Sequence, residues 1–366
     1  MEDKRAHDTT KALWHMDRVI EHFDKGKRIA PVHIDMGLAK FCNIRCVFCY
    51  GKYQDQSKEF IQKDALLGLM RDAGTVGVRS IGFIGDGEPT CNPHMYEALR
   101  VAKDSGLSMA VSTNGVLINN NAKRDAILES CDWMRFCFSA GTKEGYKAIH
   151  GVDKFDTVVK NIGDLINRRE KIGSKTDIGM QAVFVPTIMG QEMVEEAKLA
   201  RKLGVDYMVI KQCSLPNGSD KAGMMQFDLN DYDKPEVIAG LKEAESLSTD
   251  KTQIIIKWGL MEQKGAKPYE GCPAVPMLLQ ISGDGDVFPC GHMFGDKPQY
   301  DLYKIGNVHT ERFTDMISSD KYWGIVKSMR EDFNVQTQCS GACRHDKLNE
   351  FLHNYIKNKP RGINFI

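Results

Sequence analysis

The sequence predicts an α/β protein: a partial (βα)6 parallel barrel followed by a small C-terminal unit made of a β-hairpin and a helix. Three observations lead there. Short β-rich runs alternate with amphipathic helical segments from residue 31 to about 215, and alternation of this kind produces a parallel sheet. The composition changes near residue 266, where an Asp-Gly hairpin signal and four further cysteines appear. In the loop expected after the first strand, FCNIRCVFCY places Cys42, Cys46 and Cys49 within ten residues.

The elements follow in order. Residues 1–30 are charged, and Leu13, Met16, Val19, Ile20 and Phe23 recur at helical spacing, which predicts a helix packed outside the next domain. Strands are expected over 32–39, 79–85, 108–114, 133–141, 177–185 and 206–213. The segments between them, such as QKDALLGLMRDAGTVG and FDTVVKNIGDLINRREKIG, carry apolar residues at helical spacing, and several close on a glycine stop. A Gly/Asn/Asp-rich loop, one helix (PEVIAGLKEAESL) and a short strand (QIIIKW) complete the unit from 31 to 265. The second unit, 266–366, opens on the hairpin MLLQIS-GDGD-VFPC and ends in a helix within CRHDKLNEFLHNY. Ligands of parallel α/β sheets gather at the C-terminal ends of the strands. Glu88, Asn114, Ser139 and Cys213 all fall at such ends.

Charge and composition narrow the partners. Lys plus Arg number 49 and Asp plus Glu number 49, with no basic block, so there is no electrostatic footprint for nucleic acid. No stretch approaches the roughly 18 apolar residues of a membrane span, and MEDKRAHDTT lacks the apolar core of a signal peptide. The expected location is the cytoplasm, where thiols stay reduced. Eleven cysteines there point to metal binding for the clustered ones rather than to a disulfide framework.

The triplet has the spacing C-x3-C-x2-C, with no fourth cysteine or histidine close by. Structural zinc takes four protein ligands, so a zinc site here would have to borrow a distant one. A [4Fe-4S] cluster held by three thiolates leaves one iron open to a substrate or cofactor. With Phe48 as the aromatic of C-x3-C-x-aromatic-C, the motif after a first strand resembles the signature of the radical S-adenosylmethionine (radical SAM) superfamily. The resemblance implies that SAM binds the open iron and is cleaved to a 5'-deoxyadenosyl radical, which abstracts a substrate hydrogen atom. It also implies a flavodoxin- or ferredoxin-type electron donor.

Other motifs extend the resemblance over about 31–355. IGDGEPT contains Gly85, Asp86, Gly87 and Glu88: the glycines permit close backbone approach and Glu88 offers a carboxylate to an ammonium. It resembles the family's GGE motif, with Asp86 in place of the middle glycine, and implies that Glu88 grips the SAM amino group. STNG and FSAG end strands three and four with small polar residues. By resemblance Ser139 contacts the SAM ribose or carboxylate, Ser112 and Asn114 line the same pocket, and Tyr50 packs near the adenine.

Cys272, Cys290, Cys339 and Cys343 form a complete four-thiolate set, suited to structural zinc or to an iron–sulfur cluster. Their context resembles the SPASM/twitch extension of radical SAM enzymes, here in a twitch-type form with one auxiliary [4Fe-4S] cluster. Of the remaining cysteines, Cys213 ends a strand whose alternation puts Val209, Lys211 and Cys213 on one face. Its thiol is a candidate hydrogen-atom donor, and Lys211 a candidate base or substrate ligand.

Several functions stay open. Dehydrogenation of a small carbohydrate- or cyclitol-like substrate would use the auxiliary cluster as electron acceptor. Epimerisation would use Cys213, and a peptide maturase would install crosslinks. A non-catalytic iron–sulfur or zinc scaffold is the alternative outside enzymes.

Overall fold

The computed structural model describes residues 9–49, 51, 57–186, 191–213, 228–294, 298–339, 343, 345–358 and 361–362. The six expected strands form as β1 (His33–Met36), β2 (Ser80–Phe83), β3 (Ser108–Thr113), β4 (Cys131–Cys137), β5 (Asp177–Phe184) and β6 (Tyr207–Gln212). QIIIKW supplies β7 (Gln253–Ile256), parallel to β6. The expected hairpin is β8 (Leu278–Ile281) and β9 (Asp286–Phe288), and β10 (Gly306–Asn307) pairs antiparallel to β9. Gly285 takes φ +90° in the turn, and its N–H donates to Ser282 O at 2.9 Å.

Among the described residues ten strands join one sheet in the order β10-β9-β8-β1-β2-β3-β4-β5-β6-β7. The hairpin is therefore not set apart from the parallel array. β8 runs parallel to β1, with His33 opposite Leu278 and Met36 opposite Ile281, and the parallel run extends from β8 through β7.

Strand alternation divides the sheet into two unlike faces. Met36, Phe83, Val111, Met134 and Ile178 stand side by side across five strands, each fully buried. The helices Lys63–Val76, Met95–Asp104, Asn121–Ser130, Phe155–Ile172 and Glu192–Leu203 contribute to the same core through residues such as Leu66, Leu99, Ile127, Leu165 and Ala197. Each large apolar side chain so buried contributes about 1.5–3 kcal/mol. The opposite face carries Asp35, Ser112, Arg135, Gln181 and Lys211. Gly179 lies on this face because the Tyr207 ring crosses it; an added Cβ would meet that ring at 2.3 Å.

The N-terminal segment differs from the single amphipathic helix expected. Its pitch changes from 3-10 (Thr9–His15) through α (Met16–Val19) to π (Ile20–Asp24). The apolar stripe is broken by that change: Val19 is fully buried, while Leu13 is 60% exposed. Val19, Met16 and Phe23 pack with Leu352 of the C-terminal helix Asp346–Lys357, and Tyr355 Oη donates to Asp24 Oδ2 at 2.6 Å.

Candidate functional site

Three loops meet at the C-terminal ends of β1, β2 and β8, and glycines set how closely. An added Cβ on Gly85 would lie 2.0 Å from Gly37 Cα, on Gly87 2.2 Å from Ala39 O, and on Gly283 2.2 Å from Ala39 C. Only residues without a Cβ allow this backbone-to-backbone contact. Asp86 occupies the junction. Its carboxylate accepts from Gly283 N at 3.0 Å and pairs with Lys40 Nζ at 3.1 Å, while Asp284 Oδ2 lies 3.8 Å from the same ammonium. Burial pushes the Asp86 carboxyl upward, against the lowering effect of Lys40 and of the Gly283 N–H. Asp86 thus faces the hairpin turn, whereas Gly87 and Glu88 continue toward the cysteine loop.

Glu88 is buried and held by four donors. Oε1 accepts from Thr90 N at 3.1 Å, Thr90 Oγ1 at 2.5 Å and Thr113 Oγ1 at 2.6 Å; Oε2 accepts from Asn114 N at 2.8 Å. Burial raises its pKa despite these bonds. Thr90 and Thr113 escaped the sequence reading, although both stand inside motifs it quoted. Asn114 turns from Glu88 to the triplet: Nδ2 donates to Asn43 Oδ1 at 2.6 Å and approaches Cys42 Sγ at 3.7 Å.

The triplet loop is stitched to the helix Lys143–His150, an element that sequence periodicity did not predict. Arg45 N and Val47 N donate to the carbonyls of His150 and Ile149, each at 2.9 Å, at the end of that helix. His150 is buried, with Nδ1 3.0 Å from Cys46 Sγ and Nε2 accepting from Ser139 N at 3.1 Å. Burial lowers its pKa to about 4, so the ring is neutral. Cys42 is pushed up to about 12 by burial, then by Glu88 and Cys49. Phe48 sets its ring edge-on to His150 at 6.2 Å. Tyr50 lies outside the described residues.

Ser139 Oγ accepts from Val183 N at 3.1 Å, joining the end of β4 to β5. Ser112 Oγ contacts Cys137 Sγ at 3.1 Å and accepts from Arg135 Nε at 3.2 Å on the polar face. Cys213 is buried, with Sγ 3.9 Å from Phe48 O and its N–H donating to Tyr232 Oη at 3.0 Å. Burial raises its thiol to about 12, with Lys211 opposing and Cys49 adding. Cys213 is thus brought beside the triplet loop, while Lys211 is half-buried on the polar face.

The second set also converges. Cys343 contacts Cys339, and this contact and burial, with Cys272 and Cys290 adding, raise its pKa well above the ordinary thiol value. Cys272 is raised to about 12 by burial and then by Cys290. Asn349, which the sequence reading did not single out, approaches Cys272 Sγ with Nδ2 at 3.4 Å and accepts from Ala274 N at 2.8 Å. None of the eleven cysteines is in a disulfide. Among the described residues no three His, Cys, Asp or Glu side chains group tightly enough for a single metal ion. A cubane cluster takes its thiolates at separate corners, and sets of three and four cysteines supply the ligand numbers of an open and a closed cluster.

Comparison with known proteins agrees with this chemistry. Residues 36–206 match the model of the radical SAM superfamily, and residues 272–344 match that of an iron–sulfur cluster-binding domain, SPASM. The chain belongs to the radical SAM superfamily. As a radical SAM protein with a SPASM-type C-terminal domain, it has as cofactors S-adenosylmethionine, a SAM-binding [4Fe-4S] cluster and an auxiliary cluster. Its relatives include a tungsten-containing aldehyde ferredoxin oxidoreductase cofactor-modifying protein of Pyrococcus furiosus. That protein is 24% identical over 291 residues, covering 77% of this chain and 79% of the relative. A probable GTP 3',8-cyclase of Saccharolobus solfataricus is 25% identical over 265 residues, covering 69% and 80%. Among solved structures, Streptococcus suis SuiB bound to precursor peptide SuiA superposes with a TM-score of 0.65 at 16% identity, over 93% of this chain and 76% of SuiB. Native anSMEcpe with bound AdoMet gives 0.58 at 16% identity, over 89% and 96%. The radical SAM chain has, among its described residues, no helix long and apolar enough to cross a membrane.

Proposed function

We propose that this radical SAM protein oxidises a small polar, carbohydrate- or cyclitol-like substrate held on the polar face of the sheet. Cys42, Cys46 and Cys49 hold the SAM-binding cluster, and Cys272, Cys290, Cys339 and Cys343 the auxiliary one. Within the chain, residues 31–265 form the radical SAM unit and 266–366 the auxiliary unit. When bound, these groups supply the 5'-deoxyadenosyl radical that removes a substrate hydrogen atom and an acceptor for the second electron. Glu88 Oε2, fixed by Asn114 N, receives the SAM ammonium, while Gly85 and Gly87 keep the loop backbone close. Ser112 and Ser139 line the SAM pocket, and Phe48 flanks it. Lys211, as its neutral amine, takes the hydroxyl proton at Nζ. A flavodoxin- or ferredoxin-type protein delivers the reducing electrons.

One observation carries the choice of a polar substrate. The sheet face opposite the helices presents Asp35, Ser112, Arg135, Gln181 and Lys211, interleaved with Ala110, Trp133, Val183 and Val209. Oxidation is favoured over epimerisation because Cys213 Sγ is buried against the Phe48 carbonyl, whereas a hydrogen donor must face the substrate radical. A peptide substrate is the second reading, supported by solved structures of similar fold that bind the peptides SuiA and Cp18Cys.

Anaerobic, reduced enzyme with SAM and deuterated candidate substrates provides the test. Deuterium should enter 5'-deoxyadenosine from a polyhydroxylated substrate, with a carbonyl product. Label transferred only from a peptide would replace the first reading with the second. Iron and sulfide analysis should give about eight irons per chain, as two cubane clusters require; zinc without sulfide would sink both.

A further inference from the structure

We propose that His150 is a neutral hydrogen-bond donor to the thiolate of Cys46, positioning that ligand and setting the reduction potential of the SAM-binding cluster. The inference rests on the assignment of Cys46 as a cluster ligand. The tautomer follows from the Ser139 backbone, which can only donate: its N–H points at Nε2 from 3.1 Å, so that nitrogen carries the lone pair. The ring proton is therefore on Nδ1, 3.0 Å from Cys46 Sγ.

The surroundings keep this geometry. His150 ends the helix whose carbonyls accept from Arg45 N and Val47 N, so the imidazole and the cysteine loop form one stitched unit. Gly151 follows in the left-handed region at φ +67°, and a Cβ there would lie 2.8 Å from Arg45 O. Tyr146, at 4.4 Å between ring centroids, and Phe138 and Phe48 farther out enclose the imidazole in aromatic rings. A dry N–H donated to a ligating sulfur draws negative charge from the cluster and stabilises its reduced form. It also makes the iron at Cys46 electronically distinct from those at the other two thiolates.

The test uses reconstituted full-length protein. His150→Phe keeps an aromatic ring but removes the donor; His150→Asn restores an N–H near the Nδ1 position. His150→Phe should retain wild-type iron and an electron paramagnetic resonance signal that responds to SAM, with a midpoint potential shifted to more negative values. His150→Asn should return most of that shift. A midpoint unchanged in an iron-replete His150→Phe protein overturns the donor role. Wild-type protein labelled with 15N-histidine supplies a readout independent of any variant's folding. Its reduced, SAM-responsive cluster should show a histidine nitrogen coupling by pulsed resonance, and absence of that coupling overturns the proposal. Failure of the ligand assignment would look different: Cys46→Ala would then keep wild-type iron content and the SAM-responsive signal.

Discussion

Lys40 Nζ lies 3.1 Å from Asp86 Oδ2, and both side chains are 2% exposed. This buried pair joins the loop after β1 to the loop after β2, and through Gly283 to the β8–β9 turn. Removing one partner of a buried pair leaves an uncompensated charge, which costs about 3–5 kcal/mol. Lys40→Met is therefore expected to unfold at markedly lower denaturant than the wild type. Adding Asp86→Asn, which removes the stranded charge, should recover more than half of the loss in denaturant titrations. A single variant as stable as wild type would show the pair to be energetically idle.

Glu196 gives a pH dependence with a defined sign. It is fully buried, neither carboxylate oxygen has a hydrogen-bond partner among the described residues, and burial and then Glu192 raise its pKa well above the ordinary value. The folded chain holds a proton that the unfolded chain releases above about pH 4.3. The stability this group contributes is complete below that pH and is lost as pH rises toward the folded value, by up to about 1.4 kcal/mol per unit. Glu196→Gln should flatten the curve of melting temperature against pH between about 5 and 8. Curves that stay parallel to wild type would exclude a proton held at Glu196.

Two glycine-to-alanine substitutions should move stability in opposite directions. At Gly68, inside the helix Lys63–Val76, an added Cβ meets nothing among the described residues within 4 Å. Gly68→Ala should stabilise by about 0.5–1 kcal/mol. At Gly85 the new Cβ would lie 2.0 Å from Gly37 Cα, so the loops must part, at a cost of about 1–3 kcal/mol or more. Urea titration measures both, and isothermal titration with SAM should show weakened binding for Gly85→Ala alone.

Asn349→Leu should separate the two cysteine sets. The substitution removes the amide beside Cys272 Sγ and the acceptor for Ala274 N, both inside the auxiliary set. Outer-shell partners of this kind are typically worth 10–100-fold in metal affinity. Iron content should fall toward about half while the SAM-responsive resonance signal persists. Loss of both signals together would mean that the variant disturbs the whole fold.

Legibility in the sequence followed the range of the physics involved. β1 to β6 could be read because β-rich runs alternate with helical periods, and the hairpin because its Asp-Gly turn is local. Pairing of β8 with β1 has no local signal, since it depends on which edge is open once the other strands are placed. The helix Lys143–His150 was hidden by its length of eight residues. Its ends were marked nonetheless: Thr142 Oγ1 accepts from Gly145 N at 3.0 Å, and Gly151 follows the last residue. Recognition of that helix would still have left the contact of His150 with Cys46 unread, because the two stand far apart along the chain. The Lys40–Asp86 pair could not be anticipated, because it is made by loops far apart along the chain.

The pairing of β1 with β8 also has a consequence for biogenesis. During synthesis β1 emerges early, but its partner on one side is not translated until Leu278–Ile281. Until then a nascent chain carries an open row of backbone donors and acceptors beside the first cysteine loop, a template for pairing with other chains. The arrival of β8 closes that row. Iron loading of a half-made chain would therefore compete with aggregation until β8 covers that edge of β1.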